Sequence, residues 1–395
     1  MIKRHPSPTQ CLFTGVALFQ RLGYPYIDMK IAHIHSGVRG IASYALNIYR
    51  YFEQINQETL VVSEAKWTKQ AIPVYEPDSW LIGGILPWAK HPDEVLERLK
   101  EFQPDIIHHH HPSGRLDFSI EHFRKELDVP LICTFHMSVG SKKYMIDKAM
   151  NGFFNLTKRK FRNATCWVAI SQFVKRQLEE IGGIPKDRIV LLYAGVNPDI
   201  FKPVEYTPHD TLEITFVGQI TLEKGIDMLI NVVQELSKER KVRLNIVGNG
   251  TLKPILMKKT EGDPCINWVG FLKSPQEVSQ FYANSDVTVL PVRWDEAFSY
   301  IPLETMASGT PLIASRCGGN PETVTDGETG FLFTPGNADE LYNILKKVEI
   351  PQLWDMGQKG RELILKRHTL KLFGDKYKSL YENVLADPSH LKQID

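Results

Sequence analysis

Residues 212–291 alternate between two kinds of segment. Short apolar runs at 212–217, 242–247, 266–269 and 287–291 are separated by stretches of helical periodicity at 226–236, 252–259 and 275–283. Two strands joined by a helical crossover run in the same direction, so the pattern dictates a parallel sheet with helices on its faces. Such a sheet binds ligands beyond the carboxyl ends of its strands, and the residues following each run are the ones to inspect. A thinner version of the alternation fills the first half. Strands are expected there at 29–35, 59–63, 104–108, 130–135, 167–170 and 189–193, with helices from 41 onward, at 93–102 and at 172–181. A polar, proline-containing stretch at 204–210 separates the halves, and this shift in composition marks a domain boundary.

At 395 residues, 43% hydrophobic and 24% charged, the chain has the length for two such domains. Its 47 basic and 46 acidic side chains leave a formal charge of +1, which argues against a nucleic-acid partner. Cys11, Cys133, Cys166, Cys265 and Cys317 are scattered, without C-x-x-C spacing. That is the pattern of a reduced, cytoplasmic compartment rather than of a disulfide framework or a zinc site. No apolar run reaches the ~18–20 residues that span a bilayer.

Residues 295–319 read D-E-A-F-S-Y-I-P-L-E-T-M-A-S-G-T-P-L-I-A-S-R-C-G-G. Phe298 and Ser299 can turn the chain, and Pro302 suits the first turn of a short helix, where its missing N–H is not needed. Glu296 and Glu304 flank this turn. Free amides at a helix start favour phosphate oxygens, and carboxylates accept strong hydrogen bonds from sugar hydroxyls. Taken alone, Glu304 could simply complement the helix dipole, for ~0.3–1 kcal/mol.

The whole stretch resembles the E-x7-E signature of retaining glycosyltransferases of family 4, E-G-F-G-x-x-x-x-E-A-M-A-x-G-x-P. Here it stands as E-A-F-S-Y-I-P-L-E-T-M-A-S-G-T-P, with Ala297 and Ser299 in place of glycines. Further blocks of the same pattern follow in order. Gly218-Gln219 and Lys224-Gly225 match G-R-x-x-x-x-K-G except for Gln219, where the family has an arginine. Gly248 and Gly250 match V-G-x-G, and Gly270-Phe271-Leu272-Lys273 matches the stretch that holds the base. Gly318-Gly319 with Glu322, and the segment 326–332, match G-G-x-x-E and D-G-x-x-G-F/L. Glutamine offers two neutral donors where arginine offers a charged fork, so its presence would weaken a phosphate contact by roughly 1.5–3 kcal/mol unless Arg293 or Arg316 compensates.

The first half offers fewer signals. Gly37 and Gly40 follow the first strand in a loop that borders the cleft in the family. Residues 108–111 are four consecutive histidines; neighbours in an extended segment point to opposite faces, so they read as cleft-edge polar residues rather than as a metal site. No D-x-D metal–nucleotide signature occurs. His136 follows the 130–135 run; an isolated histidine is more often a hydrogen-bonded core residue, but at the carboxyl end of a strand it should face the crevice, as the family's T-x-H ending does. Segment 142–162 carries seven Lys/Arg against one Asp among apolar residues; it reads as a helix with aromatics in the core and a basic acceptor-side surface, with peripheral membrane contact as the alternative. Residues 1–28, with Pro6, Pro8 and Pro25, read as an upstream extension or a poorly ordered arm, with Met29 as the natural start.

The resemblance, which covers roughly residues 29–386, implies a GT-B architecture of two Rossmann-like doubly wound α/β domains facing across a cleft. The acceptor-side domain would span 29–205 and the nucleotide-sugar donor domain 206–370, and a last helix at 371–395 would cross back to the first domain. It also implies a hexosyltransferase-type enzyme that moves a sugar from a nucleotide-diphosphate sugar to a hydroxyl acceptor, such as a surface glycan or glycolipid precursor. Retention of configuration and no metal or cofactor are implied as well. Glu296, Lys224 and His136 would form the catalytic set. Glu304, Gln219, Gly218, Phe298, Ser299, Tyr300, Gly248, Gly250, Phe271 and Leu272 would bind the donor. A non-catalytic sugar-nucleotide binder or surface-layer component, motivated by Gln219, and a glycoside phosphorylase are the competing readings.

Overall fold

The computed structural model describes residues 29–36, 39–63, 74–77, 79–82, 86–140 and 145–388. The expectations for residues 1–28 and for Gly37 lie outside these residues.

In the first half, β1 (Ile31–His35) leads into α1 (Arg39–Gln54), followed by β2 (Thr59–Ser63), β3 (Val74–Tyr75) and an antiparallel ribbon of β4 (Ser79–Ile82) and β5 (Leu86–Ala89). Then come α2 (Pro92–Phe102), β6 (Ile106–His111), α3 (Leu116–Leu127), β7 (Leu131–Phe135), α4 (Met145–Thr157), β8 (Cys166–Ala169), α5 (Gln172–Glu180) and β9 (Ile189–Leu191). The main sheet is parallel, in the order β3-β2-β1-β6-β7-β8-β9. α1 buries Ala42, Ala45, Ile48 and Phe52, a three-and-four spacing that lays one face on the sheet.

The second half holds β10 (Leu212–Val217), α6 (Ile226–Leu236), β11 (Val242–Val247), α7 (Lys253–Lys259), β12 (Ile266–Gly270), α8 (Pro275–Ala283) and β13 (Val287–Leu290). It continues with α9 (Ile301–Ala307), β14 (Leu312–Ser315), β15 (Gly330–Phe333), α10 (Ala338–Lys347) and α11 (Ile350–Arg367). Its parallel sheet runs β12-β11-β10-β13-β14-β15. The order reverses between β10 and β13, so a crevice opens between the loops that follow them. α12 (Leu370–Ala386), capped by the Thr369 hydroxyl on the Leu372 amide, leaves this half and packs on α1. Tyr377 meets the Tyr44 hydroxyl at 3.0 Å, and Tyr51 donates to Asp375 at 2.5 Å.

β6 runs three residues past the strand expected at 104–108, and this corrects the reading of the histidines. All four lie inside the strand with no exposure, so they are core residues and not cleft-edge ones. Alternation does send them to opposite faces. On one face His108 bonds Tyr381 at 2.6 Å and Thr134 at 2.7 Å, while His110 bonds His33 at 3.3 Å and His136 at 3.0 Å. On the other face His109 and His111 reach Asp117 Oδ1 at 2.9 and 3.0 Å. Asp117 also accepts from the Ser113 and Gly114 amides. Burial pushes His108 and His110 well below the ordinary histidine range, and a neutral imidazole with partners at both nitrogens is tolerated in a core. Each face thus gathers three groups of metal-binding type: His33 with His108 and His110, whose rings lie against one another, and His109 with His111 and Asp117, joined by hydrogen bonds.

In segment 142–162, Phe154 and Phe161 are buried against the histidine strand, while Leu156 is 67% exposed. Among the described residues no helix is long and apolar enough to cross a membrane.

Candidate active site

The loops after β10 and β13 meet at the reversal of strand order. The Arg293 amide donates to the Glu223 carbonyl at 2.8 Å and ties one loop to the other. This sets Lys224 Nζ against Glu296 Oε1, with side chains only 13% and 9% exposed. Nζ also lies 5.6 Å from the centre of the Trp294 ring. Burial pushes Lys224 down to about 8, and the nearby Cys317 and Glu223 work the other way. Glu296 Oε2 is buried and has no hydrogen-bond partner among the described residues. A buried carboxylate oxygen left unpaired is costly, and a donor arriving in the crevice would relieve it.

Glu296 is held from behind by its own backbone, whose carbonyl accepts from the Gly319 amide at 3.0 Å. Gly318, at φ +54°, lies so close that a Cβ there would stand 2.0 Å from the same carbonyl oxygen. The glycine pair is therefore needed to seat the glutamate.

Glu304 projects from the first turn of α9 and accepts from the buried Tyr282 hydroxyl at 3.3 Å. Burial pushes its carboxyl up to about 7, and the Tyr282 hydrogen bond works the other way. Between the two glutamates, Ser299 Oγ accepts from the Ile301 amide, and Phe298 and Tyr300 are half-buried. The Tyr300 hydroxyl accepts from Asn47 of α1 at 3.4 Å, so this side chain is turned toward the first half.

Gly218, Gly248 and Gly250 line up beside this crevice for a reason of their own. The Gly218 amide bonds Val247, that of Gly248 bonds Gly270, and that of Ile220 bonds Asn249, all at 2.8–3.0 Å. A Cβ on Gly248 would stand 1.9 Å from the Gly218 carbonyl oxygen, so the glycine serves loop-to-loop packing. Phe271 is 55% exposed on the next loop, with Leu272 half-buried beside it. Gln219 is exposed. Neither arginine considered as its substitute is uncommitted. Arg293 pairs with Asp227 at 3.0 Å, and Arg316 pairs with Asp326 at 2.5 Å.

On the first half, His136 follows β7, with Nε2 at 3.0 Å from His110 and its ring 4.8 Å from that of Tyr44. Burial, reinforced by His111, His35 and His109, pushes it down to about 3, so it is a neutral hydrogen-bonding group. Gly40 lies in the first turn of α1, exposed, with no described contact to the crevice. The two halves touch directly at their strand ends. Ser171, after β8, donates to the Ala297 carbonyl at 2.7 Å, and Glu322, after β14, accepts from α5 amides. Tyr282, Asn47, Ser171, Tyr193 and Glu322 are the site residues that sequence reasoning missed as such. Only Glu322 carried a signal, as the last letter of the G-G-x-x-E block.

Two doubly wound domains meeting at the carboxyl ends of their strands, with carboxylates and a lysine at the second domain's reversal point, define a GT-B glycosyltransferase. The family described as "Glycosyltransferase Family 4" matches residues 38–200, and "Glycosyl transferases group 1" matches residues 211–348, one on each half. The chain belongs to the family 4 glycosyltransferases.

It is 27% identical over 335 residues to a sulfoquinovosyl transferase of Arabidopsis thaliana, covering 78% of this chain but only 63% of the plant protein. It is also 27% identical over 305 residues to a D-inositol 3-phosphate glycosyltransferase of Corynebacterium aurimucosum, covering 70% of this chain and 69% of that one. Solved structures share the fold. A glycosyltransferase from Rickettsia africae superposes with a TM-score of 0.73 at 21% identity, covering 92% of this chain and all of its own. Anabaena HepE in complex with UDP and glucose gives 0.74 at 17% identity, covering 90% and 99%.

Proposed function

We propose that the protein transfers a sugar from a nucleotide-diphosphate sugar to a hydroxyl of a glycan or glycolipid precursor, with retention of configuration and without a metal. The observation that carries this reading is the unpartnered Glu296 Oε2 beside Lys224. A bound donor satisfies both groups at once. Its sugar hydroxyl donates to Glu296, and its diphosphate accepts from Lys224, which then leaves the carboxylate. Glu304 takes the ribose hydroxyls, and the amides at 298–300 face the phosphates.

Charge grows on the leaving diphosphate as the anomeric C–O bond breaks, and Lys224 and these amides stabilise it. The acceptor oxygen bonds the anomeric carbon on the face the diphosphate leaves, and its proton passes to a phosphate oxygen. No enzyme carboxylate need act as nucleophile. His136, neutral, serves as a hydrogen-bonding contact on the acceptor side.

The test is a thermal-shift panel with UDP, GDP and ADP and their sugar forms, on wild type and Lys224→Ala. A nucleotide at ~100 times its dissociation constant stabilises the fold by about 2.7 kcal/mol. Stabilisation by one nucleotide, reduced in the variant, is expected. A folded protein that responds to none would favour the non-catalytic alternative, with Gln219 as its cause.

A further inference from the structure

Glu322 takes no part in the donor contacts proposed above, yet its carboxylate is fully engaged. Oε2 accepts from the Gln172 amide at 2.6 Å and from the Tyr193 hydroxyl at 2.9 Å, and Oε1 accepts from the Phe173 amide at 2.7 Å. All three donors belong to the first half. The two amides open α5, where the chain has no intrahelical acceptor for them and the helix dipole favours a negative charge. Beside them Ser171 does two things with one hydroxyl. It accepts from the Val174 amide at 3.1 Å as the helix cap, and it donates to the Ala297 carbonyl at 2.7 Å. Ala297 directly follows Glu296. Gly319 makes the approach possible, because a Cβ there would lie 2.9 Å from the Ala297 carbonyl oxygen and 3.4 Å from Ser171 Cβ. The Tyr193 ring continues the contact, 6.3 Å from that of Phe298.

We infer that Glu322 is a positioning residue for sugar transfer: by capping α5 across the cleft, it fixes the donor-side loop 296–298 against the acceptor-side half. This rests on the reading proposed above. The carboxylate acts through the loop and touches no reacting atom. Its loss therefore leaves nucleotide binding, which the second half carries alone, and slows the step that needs both halves in register. Glutamine keeps one carbonyl acceptor for the two amides but loses the charge and the second oxygen.

The experiment compares wild type, Glu322→Gln and Glu322→Ala. Three quantities are read: the thermal shift with the nucleotide selected by the panel, steady-state release of that nucleotide from its sugar donor, and amide hydrogen exchange at Gln172 and Phe173. For Glu322→Ala the expectation is an unchanged nucleotide shift, a donor KM within twofold, kcat lowered at least tenfold and faster exchange at both amides. Glu322→Gln should recover part of kcat. Turnover by Glu322→Ala within twofold of wild type overturns the inference, as does a loss confined to donor KM. Absence of any nucleotide shift in wild type would instead overturn the glycosyltransferase reading, so the two failures are distinguishable.

Discussion

The two halves share a fold and use the carboxyl ends of their strands in opposite ways. In the first half the strands carry polar residues that face inward: His33, His108, His109, His110, His111 and Thr134, together with Asp117 of α3, are wholly buried and bonded to one another or to tyrosines. In the second half the strands end in glycine-braced loops, and the charged groups Lys224, Glu296 and Glu304 are partly exposed in the crevice. One edge spends its polar groups on stability, the other keeps them for a ligand. Damage to the first should therefore register as unfolding, and damage to the second as lost activity in a folded protein.

The largest expected effect is on the first edge. Asp117→Ala strands two imidazoles and two amides, and the loss should be ~3–5 kcal/mol of unfolding free energy by denaturant titration. Burial alone would raise the Asp117 carboxyl, but His111 and His109 hold it well below the usual carboxylate range. A group depressed in this way contributes stability above its unfolded value, about 3.9, and loses it as the pH falls toward the folded one. Asp117→Asn should accordingly flatten the decline of stability below about pH 4. A fully stable Asp117→Ala protein would break the division between the halves.

Next comes Glu296→Ala, for which turnover should fall ~10²–10³-fold while the unfolding midpoint barely moves. Unfolding of this variant at room temperature would blur the contrast from the other side. Glu304 sharpens it with pH. Because burial pushes its carboxyl up to about 7, the acceptor form needed for ribose hydroxyls is lost on acidification. Nucleotide affinity measured calorimetrically should weaken toward tenfold per pH unit below 7, and Glu304→Gln should abolish that dependence. The smallest effect belongs to Tyr51→Phe, which removes the bond to Asp375 and should cost ~1 kcal/mol without changing nucleotide affinity.

What the sequence made legible follows the same divide. The second-half loops are local: glycines, a proline and two glutamates within one short stretch determine the turn and the short helix. Contacts that join distant residues were not readable. Tyr282 reaches Glu304 across 22 positions and Phe173 reaches Glu322 across 149, and neither spacing has a local signature. The histidines misled for a chemical reason. A polar residue type argues for a strand end, but imidazoles such as His108 and His110, kept neutral and bonded at both nitrogens, pack inside a sheet much as aromatic rings do.

The placement of α12 has a consequence for how the protein is made. Tyr377 and Tyr381 belong to the hydrogen-bonded centre of the first sheet, yet they are translated after every strand of both sheets. The half that emerges from the ribosome first is thus the last to be completed. While residues 212–333 already contain every strand of their own sheet, the bonded pair His108 and Thr134 waits for its tyrosine partners, one at His108 Nδ1 and one at the Thr134 hydroxyl, on a helix some 240 or more positions downstream. A chain stalled before Leu370 carries a finished donor half and an open acceptor half, and chaperones and proteases would meet the unfinished core near its beginning rather than at the growing end.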